Sequence, residues 1–228
     1  FSHFIPCGVY EAVYILDGLL KNQSDIQPDT IHGDTQSQSE AVFGLAYLLG
    51  IKLMPRIRGI KHLKLYRISK EDHFKHIDTL FKDTIKWELI ESCLPDMLRI
   101  ALSVKAGRIN ASTILRRLGT YSRKNKLYLA LRELGRVVRT VFLLQYIAEA
   151  EIREMIQAAT CKSEEFNDFL QWVMFGNDGL IAENVRHEQQ KIIKYNHLVA
   201  NMIILYNVVT MTKALGELAE EGYPIDPE

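Results

Sequence analysis

Thr30-Ile-His-Gly-Asp-Thr-Gln-Ser-Gln-Ser-Glu-Ala-Val-Phe-Gly-Leu-Ala-Tyr-Leu-Leu-Gly50 is the stretch on which the fold turns. A short β-leaning run stops at an acidic residue, Asp34. A polar turn follows, then a helical repeat of Val42, Leu45 and Leu49 closed by Gly50, a residue suited to a left-handed C-cap. A second strand-like run, Ile51–Ile57, comes next, with Pro55 placing its end at a sheet rim. The order strand, carboxylate, helix, strand predicts a parallel α/β unit with Asp34 at the carboxyl end of its first strand. Open α/β sheets place their chemistry there. Asp34 is thus a candidate metal ligand in a nucleic-acid-processing site, and the competing reading is a cap for the turn after it.

Outward from this stretch, Phe1–Pro6 reads as the end of a strand and Val9–Leu20 as a helix, with Asp17 facing solvent or capping a neighbour. Lys21–Asp29 is a polar loop. After Ile57 the texture changes. A short ribbon is expected around Leu63–Ile68, then helices at Asp72–Phe81, Trp87–Glu91 and Asp96–Lys105, the last opened by Pro95. Ser112 is expected to cap Thr113–Leu118, and Ser122 to cap a long helix with the stripe Leu127, Leu131, Leu134, Val138 and Phe142. Further helices are expected at Glu149–Gln157, from Ser163 onward with Glu164 and Glu165 in its first turn, and from about Glu183 to Glu217. Gly176–Gly179 reads as a turn, and the prolines after Tyr223 exclude helix. Too few strands follow Ile57 for a second sheet, so the expected organisation is an α/β fold at 1–57, an all-helical insertion at 58–157, and a return at 158–228.

Composition narrows the classes. The chain has 228 residues, 47% hydrophobic and 25% charged, which suits a globular domain with a sizeable core. By eye no apolar run reaches the roughly 18 residues of a membrane span, so no membrane partner is expected. The start does not resemble a signal peptide, and the chain reads as cut from something longer. Cys7, Cys93 and Cys161 are scattered and form no C-x-x-C pair, which argues against a zinc site and fits a reducing cytoplasm. His73-x-x-His76 lacks further ligands at suitable spacing. There is no phosphate-binding glycine loop of the nucleotide-hydrolysing kind.

Net charge is zero, yet it is unevenly spread. Between Arg99 and Arg139 eleven bases face one acid, Glu133. Such a basic segment suits phosphate. Arg116, Arg117, Arg123, Lys124 and Lys126 are candidates to grip DNA, with Tyr121 and Tyr128 adding stacking or hydrogen bonds. For Arg132, Arg136 and Arg139 internal pairing is the equal alternative.

Three blocks resemble the catalytic region of the large replicative transposases of the Tn-three family. They are Ile31–Gly50 with Leu53-Met-Pro-Arg-Ile-Arg, Ile114-Leu-Arg-Arg-Leu-Gly-Thr-Tyr-Ser-Arg-Lys-Asn-Lys-Leu-Tyr with Glu133-Leu-Gly-Arg-Val-Val-Arg-Thr, and Thr160-Cys-Lys-Ser-Glu-Glu-Phe-Asn with Glu188-Gln and Asn201-Met-Ile-Ile-Leu-Tyr-Asn. The resemblance implies an RNase H-like α/β core, truncated at its N-terminus and interrupted by the helical insertion, with a DDE triad. Asp34 falls on the second Asp and Glu164 on the Glu, while the first Asp is expected upstream of Phe1. Asp17, Asp25 and Asp29 do not replace it. His32 and Glu188 are expected supports, with Glu165 and Glu188 competing for the role of Glu164. The resemblance further implies two Mg²⁺ ions, replaceable by Mn²⁺, DNA ends and target as partners, a homodimeric full-length protein, and a bacterial, cytoplasmic, nucleoid-associated setting. The alternatives are a DNA-binding fragment that lacks catalysis, or an RNase H-like nuclease. The chain departs from the family pattern at Gly33, Ser37 and Cys161, where Ala, Gly and Asn are expected.

Overall fold

The computed structural model describes residues 5, 11–59, 61, 63–120, 125–174 and 179–225. The expected N-cap Ser122, most of the strand end Phe1–Pro6, and Gly176–Asp178 of the expected turn lie outside the described residues, as do Tyr121, Arg123 and Lys124. The chain divides into two compact units, Phe1–Thr160 and Cys161–Glu228.

The first unit is built on the parallel pair expected from the opening stretch. β1 (Thr30–Gly33) lies beside β2 (Lys52–Pro55), in register from Thr30 against Lys52 to Gly33 against Pro55. Pro55 is the last residue of its strand, and the ladder continues past it through Arg56 N–H donating to the Gly33 carbonyl at 2.8 Å. Helix α2 (Glu40–Leu49) joins the two strands and ends at Gly50, whose φ of 77° is the left-handed cap expected there. Residues 41–46 of α2 are all buried. An amphipathic stripe would have left one side wet, so α2 is the central element of this core rather than a cover on it.

Ahead of β1, the expected helix Val9–Leu20 is broken into a 3₁₀ turn, Glu11–Val13, and α1 (Ile15–Leu20). After β2 several expectations need correction. The segment 58–157 is not all helical: β3 (Leu65–Arg67) and β4 (Phe81–Thr84) form a second parallel pair. Residues 72–80 are turns and a short 3₁₀ stretch rather than a helix. Arg67 accounts for this. Its guanidinium donates to the carbonyls of Asp72, Asp78 and Phe81 at 3.1–3.3 Å and pairs with the Asp78 carboxylate at 2.8 Å. A helix over these residues would have tied up the Asp72 carbonyl internally.

Helix α3 (Trp87–Lys105) is continuous through Pro95. Ile90, Cys93, Met97, Ala101 and Val104 face inward at helical spacing, whereas Pro95 and Glu91 are exposed. The Glu91 carbonyl that Pro95 leaves without a donor therefore faces water, which lowers the cost of a mid-helix proline. α4 (Ala111–Thr120) starts before Ser112. Its cap comes from another element: buried Asp17 of α1 accepts Ser112 N–H at 3.1 Å and the Ser112 hydroxyl. Asp17 therefore neither faces solvent nor stays available as a ligand. α5 (Lys126–Ala148) opens at Asn125, whose side chain accepts Tyr128 N–H at 3.0 Å.

α2 and α5 cross in backbone contact. A Cβ at Gly135 would collide with the Glu40 carbonyl and stand 3.0 Å from Gly44 N. A Cβ at Gly44 would collide with the Leu131 carbonyl oxygen and stand 3.1 Å from Gly135 N. Phe43 of α2 meets Phe142 of α5 with ring centroids 5.7 Å apart.

α6 (Ala150–Met174) is one helix where two were expected, so Ser163, Glu164 and Glu165 lie mid-helix and not on a first turn. In the second unit, α7 (Arg186–Glu220) has its Asn196 donating to the Leu170 carbonyl at 2.9 Å and its His197 ring edge-on to Phe166. Beyond Ala200 the helix is exposed almost throughout. By length and composition alone α7 is apolar and long enough to cross a membrane, contrary to the reading by eye. Interspersed Lys and Glu at its ends had masked the apolar window.

Gly135→Ala is expected to destabilise the protein by at least about 3 kcal/mol, the upper part of the usual overpacking range, because both colliding atoms are helix backbone. Gly107→Ala, where a Cβ meets open space and only the positive φ of 68° opposes it, is the milder control. Urea unfolding midpoints of the two variants measure the difference.

Candidate functional site

Asp34 follows the last residue of β1 directly and is exposed. Its backbone is extended (φ −70°, ψ 175°), which turns the chain out of the sheet. Its Oδ1 accepts Thr35 N–H at 2.5 Å, and its carbonyl accepts Ser37 N–H at 2.8 Å. The turn-capping reading is therefore correct as geometry. It does not displace the other reading, because the carboxylate still stands exposed at the carboxyl end of a parallel strand.

The two departures beside Asp34 compensate each other. A Cβ at Gly33 would collide with Ser37 Oγ, 2.7 Å from its Cβ and 3.1 Å from Ile15 Cδ1. The two positions where the chain departs from the expected pattern, Gly33 and Ser37, thus stand in one contact, with Ser37 filling the space a larger residue at 33 would take. His32 is on β1 with its Nδ1 buried and without a hydrogen-bond partner among the described residues.

The other candidates are distributed as follows. Glu164 is exposed on α6 in the second unit, next to exposed Glu165, whereas Asp34 belongs to the first. Glu188 accepts from Lys191 at 2.7 Å and meets His187 at 3.0 Å, the basic pairing expected as its alternative role. Arg116, Arg117 and Lys126 are exposed, and Arg116 donates to the Tyr14 hydroxyl at 3.0 Å. Arg123 and Lys124 lie outside the described residues. His73 and His76 are exposed, and among the described residues no three His, Cys, Asp or Glu side chains stand together as a ready-made metal site. In donor type an exposed carboxylate such as that of Asp34 suits a hard divalent cation.

The three remaining arginines turn inward, and this the sequence left open. Arg132, Arg136 and Arg139 recur at helical spacing, so one face of α5 presents them all to Glu40 in the first turn of α2. Arg132 and Arg136 pair with Glu40 Oε2 at 2.9 and 3.1 Å, and Arg139 with Oε1 at 3.3 Å. Tyr66 donates to Oε1 at 3.1 Å, and its ring lies 4.8 Å beneath the Arg136 guanidinium. Buried Glu133 pairs with Arg136 at 2.5 Å. Arg139 also donates to the Gln38 carbonyl at 3.1 Å. The cluster thereby holds the end of the turn that Asp34 begins. The signal for it was present in the sequence: three arginines on one helical face, and an acid at a helix N-terminus, where the macrodipole favours it.

Burial alone would raise the Glu40 carboxyl, but the Arg132 hydrogen bond and the charges of Arg136, Arg139 and Arg132 outweigh it and hold the group below its ordinary value of 4.5. Burial and the Glu40 charge push the Tyr66 phenol up. A depressed carboxylate contributes stability above its unfolded pKa and loses it as pH falls through the folded value. Glu40→Gln is accordingly expected to cost roughly 3 kcal/mol near pH 7, the low end for a buried pair because Arg132 reaches solvent. The gap from the parent should narrow as pH drops below about 4.5. Denaturant titrations at stepped pH read both.

The chain is similar to a set of transposases. The transposase for transposon Tn501 of Pseudomonas aeruginosa is 36% identical over 227 residues, covering 100% of this chain and 23% of that protein. The transposase for transposon Tn1546 of Enterococcus faecium is 34% identical over 216 residues, covering 94% and 22%. The transposase for transposon gamma-delta of Escherichia coli K12 is 30% identical over 224 residues, covering 98% and 22%. The chain thus spans under a quarter of the length of these curated relatives. The model of the Tn3 transposase DDE domain matches residues 1–228. With the family model and these likenesses running the length of the chain, the protein belongs to the Tn3 transposase DDE domain family.

Proposed function

We propose that this chain is the catalytic region of a DNA transposase that cleaves the 3′ ends of its element and transfers them to target DNA in replicative transposition. The observation that carries the reading is Asp34, an exposed carboxylate at the carboxyl end of β1 within a parallel strand–helix–strand unit, inside a chain of this family. Asp34 and Glu164 are the residues that hold a divalent cation, Mg²⁺ or Mn²⁺, within an RNase H-like core. The reading calls for a third carboxylate besides these two, and buried Asp17 does not supply it, being engaged by Ser112.

The bound cation offsets charge on the attacking and leaving oxygens of the phosphodiester. The chain's own part is to place its carboxylates rigidly. Thr35 N–H orients the Asp34 carboxylate, and the Arg139 bond to Gln38 anchors the far end of the same turn. Water is the nucleophile of the first step and the freed 3′-hydroxyl that of the second, with no covalent enzyme intermediate. Exposed Arg117 and Lys126 grip phosphate by charge, which positions the strand without reading its sequence. The segment 58–157 is inserted between two parts of the core. The complete protein acts as a homodimer on DNA in the bacterial cytoplasm.

In the complete protein, Asp34→Ala is expected to lower end cleavage by at least about 10³-fold, since several kcal/mol of charge stabilisation goes with it. DNA affinity should stay within about threefold. Cleavage of an end substrate in Mg²⁺ at parent level would end the reading, and cutting of DNA without terminal repeats would favour a nuclease. Arg117→Ala and Lys126→Ala are each expected to reduce the slope of log affinity against log salt by about 1, with cleavage per bound complex unchanged. Fluorescence anisotropy across a salt series measures it.

A further inference from the structure

A cleft of about 370 Å³ opens beside the turn that follows Asp34. That is at the small end of the roughly 300–1,000 Å³ typical of small-ligand sites. Val13, Val42 and Leu115 give it apolar walls, and Tyr14, Tyr128 and Arg116 line it with two aromatic rings and a cation. No Asp or Glu is among its described lining residues. Tyr14 is positioned by the Arg116 guanidinium, which donates to its hydroxyl at 3.0 Å. Tyr128 is positioned from its backbone, where its N–H donates to Asn125.

The cleft is tied to the candidate site by chain geometry. Ser39, which lines it, is the residue that ends the 3₁₀ turn Thr35–Gln38 capped by Asp34. At about 2 Å of rise per residue this places Ser39 roughly 10 Å along from Asp34, one or two nucleotides of a strand. Exposed Arg117 and Lys126 flank Arg116 and Tyr128 in sequence and add positive charge at that end of the unit. An apolar slot with aromatic walls and a cationic, acid-free rim suits a flat, uncharged heterocycle carried on a polyanion.

We propose that this cleft receives an unpaired nucleobase of the DNA strand, within about two nucleotides of the phosphate held at Asp34. The inference rests on the DNA reading above. The base stacks on Tyr128 or Tyr14, and Arg116 takes the adjoining phosphate or stacks on the base. Holding one base out of the duplex fixes the strand's register at the cut and costs only a local unstacking.

The test uses the complete protein and a duplex of the element's terminal sequence with 5-iodouracil placed singly at the three positions on either side of the scissile phosphate. Photo-crosslinks are expected to map by mass spectrometry to Tyr128 or Tyr14 from one or two adjacent positions only. Tyr128→Leu should lose the Tyr128 crosslink and weaken end binding at least about fivefold in anisotropy. Tyr128→Phe, which keeps the ring, should restore affinity, and its recovery excludes misfolding as the cause. DNA bound with parent affinity by both Tyr128→Leu and Tyr14→Leu, or crosslinks mapping only outside the cleft, would overturn the base-binding inference and leave the transposase reading standing. No binding of terminal DNA by the parent protein would overturn both.

Discussion

The backbone contact between α2 and α5 is the constraint on which the first unit depends. Gly44 and Gly135 remove the two Cβ atoms that would hold the helices apart. Because the axes come this close, Glu40 at the start of α2 falls within reach of three arginines on α5. One acid against three bases would be a poor arrangement at a longer separation, where each charge would need its own water. At this separation the charges share hydrogen bonds, and Tyr66 and Glu133 complete the set.

The consequence reaches the candidate site through a short path. α2 is fixed from behind by α5, and the turn before α2 is tied to α5 through Arg139 and the Gln38 carbonyl. Asp34 caps the other end of that turn. The Asp34 carboxylate is exposed, so its placement depends on this turn and on the Thr35 N–H it accepts. Beneath the turn, Ser37 fills the space that Gly33 leaves, so this pair of residues is a packing matter that leaves the Asp34 carboxylate untouched.

How much was legible can be judged element by element. The strand, helix and strand from Thr30 to Pro55 were readable because their signals are local: β-leaning residues, a helical apolar repeat and a glycine stop. The two carboxylate candidates came from the order of motifs and not from spacing. The region after Arg58 was misread where long-range contacts override local pattern. A helix is expected over Asp72–Phe81, yet Arg67 engages the carbonyls of Asp72, Asp78 and Phe81, and Phe81–Thr84 pairs with β3. Pro95 and Ser163 resembled helix boundaries, yet each lies inside a helix, and the buried stripe of α3 continues past Pro95 through Met97, Ala101 and Val104. Asp17 could be read as a surface acid or as the cap of a neighbour, and only its meeting with Ser112, far along the chain, decides for the cap, that of α4.

By itself the sequence determined the family, the parallel α/β unit and the identity of the exposed acid at the end of β1. The family follows from the resemblance of three motif blocks, and the other two from residue type and short-range periodicity. Only the tertiary structure decided which arginines remain available to solvent. Arg116 and Arg117 stay exposed while Arg132, Arg136 and Arg139 are used up on Glu40. Charge along a chain is additive and can be counted. Whether a given charge faces water or a partner depends on how closely two helices approach, and here two missing methyl groups, distant in sequence, set that approach.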